Sequence, residues 1–177
     1  MSILPVLTLP NKSLRIKSIE VEKIDQDLMN FIDDMVDTLR SKPGLGLAAP
    51  QVGKNIRLII IESKGSQDEN GNTIYETIPL MVLINPEIIK FSRDKVEMDE
   101  GCFSVPDLFG LVTRPKKIKL IALDINGRKV QLNASGLLAR VIQHEIDHLD
   151  GILFIDHITD RSKLRMVKME QDQEIEG

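Results

Sequence analysis

Residues 135–150 constrain this chain more than any other stretch. Leu137, Leu138, Val141, Ile142 and Leu149 recur at the spacing of one helical face, and Gly151 stands where a helix C-terminus favours glycine. At roughly 100° per residue these side chains share an arc of about 160° with His144, Glu145 and His148, while Arg140, Gln143, Asp147 and Asp150 fall on the opposite, solvated side. The helix therefore turns three titratable groups toward the interior. An unpaired carboxylate or imidazole there loses its hydration without compensation, so the groups must be paired or hold something between them.

Those residues form H-E-x-x-H, with His144 and His148 about 6 Å apart along the axis and able to share one metal ion, and Glu145 aimed at its open position. A surface helix carrying the motif by chance would set them on the solvated arc. A hydrogen-bonded core histidine accounts for one of the three groups, not for all. Two imidazoles still leave a catalytic site short of a third protein ligand. The extended metzincin pattern fits at Gly151 and fails at its last position, Phe154. A thermolysin-like ligand would come from Glu170, Glu174 or Glu176, in a charged tail that reads as a solvated face, and His157 reads as an ordinary hydrogen-bonded histidine. Cys102, within Glu100-Gly101-Cys102-Phe103-Ser104, remains. Alone it would be a small buried thiol. Beside an incomplete H-E-x-x-H site it reads as a thiolate ligand.

Composition narrows the function classes. A chain of 177 residues with formal net charge -4 suits one soluble domain. One cysteine and three histidines exclude a disulfide framework and multiple zinc-finger ligand sets. With 3% aromatic residues and no broad basic face, neither nucleic-acid binding nor base stacking is supported. The N-terminus lacks the features of a signal peptide, and no stretch approaches the roughly 18 apolar residues of a membrane span. The expected location is the cytoplasm, with no membrane binding.

Residues 25–40 predict an amphipathic helix capped by Asp25 and stopped at Lys42-Pro43-Gly44. The Gly-rich connection 44–53 lies between helix and strand and lacks P-loop spacing, which excludes a dinucleotide or phosphate loop. Gln51 within it can donate a hydrogen bond to a developing oxyanion. Short strands are expected at 56–61, 75–78, 80–84, 88–91 and 96–98, a long polar turn at 62–73, and a hairpin over 117–132 turning at Asn126-Gly127. The charged tail 160–177 reads as helical. The expected fold class is α+β: antiparallel sheets packed around a central H-E-x-x-H helix, with N-terminal and C-terminal helices, in a single catalytic domain over 1–177.

Together, Gly44-Leu45-Gly46-Leu47-Ala48-Ala49-Pro50-Gln51, Glu100-Gly101-Cys102-Phe103-Ser104 and Gln143-His144-Glu145-Ile146-Asp147-His148 resemble the three motifs of the peptide deformylase family, in the same order. The likeness covers nearly the whole chain; Phe103 stands where the family usually has leucine. The resemblance implies a hydrolase that removes the formyl group from N-formylmethionine of nascent peptides. It implies Cys102, His144 and His148 as ligands of one divalent metal, Fe2+ in the family, with Zn2+, Ni2+ or Co2+ chemically compatible. It implies Glu145 as general base, and Gln51 with the Phe103 backbone N–H as oxyanion donors. It further implies that Gly46 bonds the peptide backbone, that Leu45, Phe103, Leu137 and His144 line the methionine pocket, and that Glu100 orients the site from behind the ligands. A further expectation is that the basic run 161–168 touches the ribosome near the exit tunnel, although such a run is more often a solvated face. A metallopeptidase cleaving internal peptide bonds is the competing enzyme class, and a non-catalytic metal module should have lost Glu145 or Gln51.

Overall fold

The computed structural model of the chain describes residues 2–167. Helix α1 (Gln26–Arg40) begins as expected, the Asp25 side chain accepting a hydrogen bond from the Leu28 N–H at 3.0 Å. A five-stranded antiparallel sheet follows in the order β1-β2-β3-β6-β7, formed by β1 (Gly46–Ala48), β2 (Leu58–Gln67), β3 (Thr73–Phe91), β6 (Lys117–Leu123) and β7 (Lys129–Ser135). A second sheet, ordered β4-β5-β8, contains β4 (Lys95–Cys102), β5 (Val105–Pro115) and β8 (Leu164–Met166). Helix α2 (Gly136–Leu149) lies between the two sheets.

The run Leu58-Ile59-Ile60-Ile61 is unbroken by polar residues because both faces of β2 are covered. Leu58 and Ile60 pack with Ile32, Met35 and Leu39 of α1, whereas Ile59 and Ile61 pack with Ala139, Ile142 and Ile146 of α2. A third cluster, Val105, Val112, Leu153 and Phe154, joins the smaller sheet to the turn after α2. Gly151 has φ 74°, and a β-carbon there would fall 2.6 Å from the Arg15 carbonyl oxygen, so glycine both ends the helix and admits the 3-10 turn at Lys12–Arg15.

Several expectations change. The connection 44–53 contains the edge strand β1 and a 3-10 turn at Ala49–Val52. The three segments between 75 and 91 are one long strand, whose ladder with β6 shifts between Ile84 and Glu87, where Asn85 has φ 51° and Pro86 has no N–H to give. The polar turn shrinks to 68–72, organised by Asp68 accepting from the Asn70 and Asn72 amides; the flanking polar residues extend the ladder because they need only each other. In the β6–β7 hairpin Gly127 is left-handed at φ 74°, and Asp124 caps the Asn126 and Arg128 amides. Strand β5 was not anticipated: Pro106, Gly110 and Pro115 obscure its alternation.

The C-terminal helix is also corrected over the described residues. After a 3-10 turn at Arg161–Lys163 the chain forms β8, pairing Leu108 with Met166 and Gly110 with Leu164. Lys163 and Arg165 reach across β5 to Glu97 and Asp99 of β4, ion pairs that favour a strand on the far edge of this sheet. Residues 168–177 of the expected helix lie outside the described residues. Finally, the expected solvated arc of α2 is largely covered: Arg140 and Gln143 are only 5% and 4% exposed, because the smaller sheet packs on that side, while Asp147 and Asp150 stay partly exposed. Among the described residues no helix is long and apolar enough to cross a membrane.

Candidate active site

Cys102 ends β4 at a register shift opposite Val105, which turns its side chain off the ladder and toward α2. His144 and His148 sit one turn apart on α2, ring centroids 5.0 Å apart and edge to face. The ligand atoms of Cys102, His144 and His148 lie within 4.8 Å of one another, Cys102 Sγ being 3.2 Å from His148 Nε2. One thiol and two imidazoles facing one point form a donor set suited to a divalent metal of intermediate softness. Burial pushes the Cys102 thiol up, but the His148 and His144 rings outweigh it and hold the group well below its usual range, as a thiolate. Burial works against a charged His144 too, and is overcome by Cys102 and Glu100, which raise it.

Glu145 lies on the same face and is 4% exposed. Burial is the main cause of a pKa raised to about 7, opposed by the two histidines and reinforced by the negative charges of Cys102 and Glu100. Its Oε2 has no hydrogen-bond partner among the described residues, and neither has His148 Nδ1. An idle buried oxygen beside a Cys-His-His set fits a group meant for reactants. Gly46 of β1 is equally specific: a β-carbon there would fall 2.5 Å from Glu145 Oε1, so strand and carboxylate touch only because the residue is glycine.

Gln51 lies in the 3-10 turn after β1 and is 1% exposed. Its Oε1 accepts from the Ala48 N–H at 2.8 Å, which fixes the amide and sends Nε2 toward Ser104 Oγ at 3.2 Å and Cys102 Sγ at 3.5 Å. Donor and thiolate are therefore neighbours. Phe103 joins Cys102 to Ser104, and its ring packs on Gly44, where a β-carbon would fall 2.0 Å from it. Leu45 and Leu137 share the cluster on the α2 side of the large sheet, whereas the Phe103 ring belongs to the α1 side. Glu100 accepts from His144 Nδ1 at 2.8 Å. Burial raises its pKa, but bonds from His144 and Arg114 overcome that and keep it ionised, below the usual carboxylate range.

Sequence reasoning passed over several residues here. Arg114 and Arg140 both grip Glu100, and Ser104 is fully buried against Gln51. Phe154, noted only as a residue unable to ligate, stacks on His144 at 6.3 Å and 22°. His157 Nε2 donates to Asp147 Oδ2 at 2.7 Å and stands outside the ligand set.

The profile of the family described as Polypeptide deformylase matches residues 3–164. A peptide deformylase of Thermomicrobium roseum is 42% identical over 177 residues, covering 100% of this chain and 98% of its own. Among solved structures, peptide deformylase from Ehrlichia chaffeensis in complex with actinonin has a TM-score of 0.81 at 40% identity, covering 92% of both chains. The Met-Ala-Ser bound class I type b peptide deformylase from Acinetobacter baumannii has a TM-score of 0.82 at 34% identity, covering 89% of this chain and 100% of that one.

Proposed function

The chain belongs to the polypeptide deformylase family, and from that premise we propose how its own residues divide the work. The family's reaction is this enzyme's reaction: hydrolysis of the formyl group from the N-terminal N-formylmethionine of new polypeptides, releasing formate. Cys102, His144 and His148 hold the one divalent metal, with ferrous iron as the working ion and zinc, nickel or cobalt as substitutes. The observation that carries this reading is the convergence of the three ligand atoms within 4.8 Å beside a buried carboxylate oxygen that nothing else uses.

When bound, such a metal lowers the pKa of water from 15.7 to about 7 and polarises a carbonyl. Glu145 takes the proton from the attacking water and delivers it to the amine nitrogen as the C–N bond breaks, a transfer needing a carboxylate whose pKa lies near the working pH. Gln51 Nε2 and the Phe103 N–H donate to the oxyanion as it forms. The peptide lies as an added strand along β1, the edge of the five-stranded sheet, with Gly46 bonding its backbone. Leu45, Leu137 and the His144 ring form the apolar wall for the methionine side chain, with Phe103 at its margin. The Met-Ala-Ser bound to the Acinetobacter baumannii relative supports a peptide beginning with methionine.

The test is formate release from a formylmethionyl peptide, with casein as the control for internal cleavage. Gln51→Ala should lower turnover by about 10²–10³ while casein stays intact. An unchanged rate would remove Gln51 from the oxyanion, and casein cleavage would restore the metallopeptidase reading.

The enzyme acts in the cytoplasm on chains leaving the ribosome. Of the described part of the basic run, Lys163 and Arg165 are ion-paired with Glu97 and Asp99, so the exposed Arg161 carries the contact there. Arg161→Glu should weaken co-sedimentation with ribosomes; equal co-sedimentation would exclude it.

A further inference from the structure

We propose that Arg114 is a positioning residue for the metal-ligand set, acting through Glu100 on His144 and through Asp147 on the helix that carries His148. The inference rests on the assignment of Cys102, His144 and His148 as ligands.

Each oxygen of Glu100 offers two acceptor positions, and all four are filled. Oε1 accepts from Arg114 Nε at 2.6 Å and Arg140 Nη1 at 2.7 Å; Oε2 accepts from Arg114 Nη2 at 2.9 Å and pairs with His144 Nδ1 at 2.8 Å. A carboxylate already bonded by three guanidinium N–H groups has no proton to offer, so His144 Nδ1 is the donor. In the neutral ring that binds a metal, Nε2 is then the unprotonated nitrogen and the ligand atom. Outer partners of this kind set the tautomer and ring orientation of a metal-binding histidine.

Arg114 differs from Arg140 in what else it holds. Arg140 also donates to the backbone carbonyls of Val112 and Val96, so it ties the helix to the sheet. Arg114 sends Nη1 to Asp147 Oδ2 at 2.7 Å. Glu100 is two residues before Cys102, and Asp147 immediately precedes His148. The buried Arg114 guanidinium thus grips a side chain on each of the two segments that supply the ligands, alongside the direct contacts of Arg140 and His144 with Glu100. Its fork on Glu100 is bidentate, which a lysine cannot copy.

Asp147 supplies the milder variant. Its side chain is 18% exposed, also bonds His157, and stands on the wall of a surface cavity of about 430 Å3, so water can replace a lost bond there. The experiment uses protein loaded with Co2+, whose absorption reports ligand geometry, and measures cobalt affinity by chelator competition. Arg114→Lys should weaken cobalt affinity about 10–100-fold and shift the cobalt spectrum, and Asp147→Asn should do the same to a smaller extent. A folded Arg114→Lys protein with parental affinity and spectrum would overturn the proposal. Should Arg114→Lys fail to fold, Asp147→Asn decides: weaker affinity supports the bridge, and parental affinity with an unshifted spectrum overturns it. Cys102→Ala, run in parallel, separates the two assignments. If it too binds cobalt at parental affinity, the ligand set is wrong; if it loses cobalt while the Arg114 and Asp147 variants do not, only the bridge is wrong.

Discussion

Replacing Glu145 by glutamine is expected to lower formate release by on the order of 10²-fold or more while the metal content stays at the parental level. Glutamine keeps the shape of the side chain, so the close approach to Gly46 survives. It also removes a carboxylate that burial already disfavours, with a pKa near 7 before any cation is added; a divalent cation held beside it draws that value down again. Burial outweighs the attraction of the two histidines for the Glu145 carboxylate, and its Oε2 has no hydrogen-bond partner among the described residues. Thermal stability should therefore be equal to or above that of the parent. What the variant lacks is a proton acceptor. The measurements are turnover on a formylmethionyl peptide, metal analysis and a thermal melt on the same preparation. Full turnover would refute the assignment of Glu145 as base, and loss of metal would make it part of the ligand set.

The distinction between legible and hidden parts of this site follows from the range of the interactions. His144, Glu145 and His148 could be read because their spacing and their apolar neighbours lie within one helix. Cys102 and Gln51 required elimination and resemblance, since nothing local separates a ligand thiol from a buried one. Arg140 was misplaced on a solvated arc for a different reason. Its partners are Glu100, Val112 O and Val96 O, between 28 and 44 residues away in sequence, and periodicity within α2 carries no information about them. One signal was present: few polar residues of α2 stand outside the motif, a thin stripe for a helix facing water. The same limit hid Arg114, which sits in a strand whose prolines and glycine blur its period. For β8, a run of basic residues at 161–165 suits either a helix face or a strand beside acidic neighbours, and Glu97 and Asp99 on β4 select the strand.

Cys102→Ala is expected to lose the metal, and with it all formate release that depends on the metal. The alternative account of this residue, a small buried thiol, makes the opposite forecast, because alanine at a tightly packed site costs little and would leave metal and activity intact. Geometry separates the two. Sγ lies 3.2 Å from His148 Nε2 and receives the Gln51 and Ser104 amides at 3.5 and 3.4 Å, an environment that stabilises negative charge on sulfur and gives a neutral, purely apolar residue no advantage. Two imidazoles one helical turn apart remain in the variant, but a catalytic site of this type takes three protein ligands. A thermodynamic signature accompanies the loss. Any ligand that binds only the folded chain raises stability by RT ln(1 + [L]/Kd), about 2.7 kcal/mol at a concentration 100 times Kd. Adding a strong chelator should therefore lower the melting temperature of the parent protein and leave that of Cys102→Ala unchanged. Equal chelator sensitivity in both proteins, with metal still bound, would transfer the third ligand position to another residue and return Cys102 to the core.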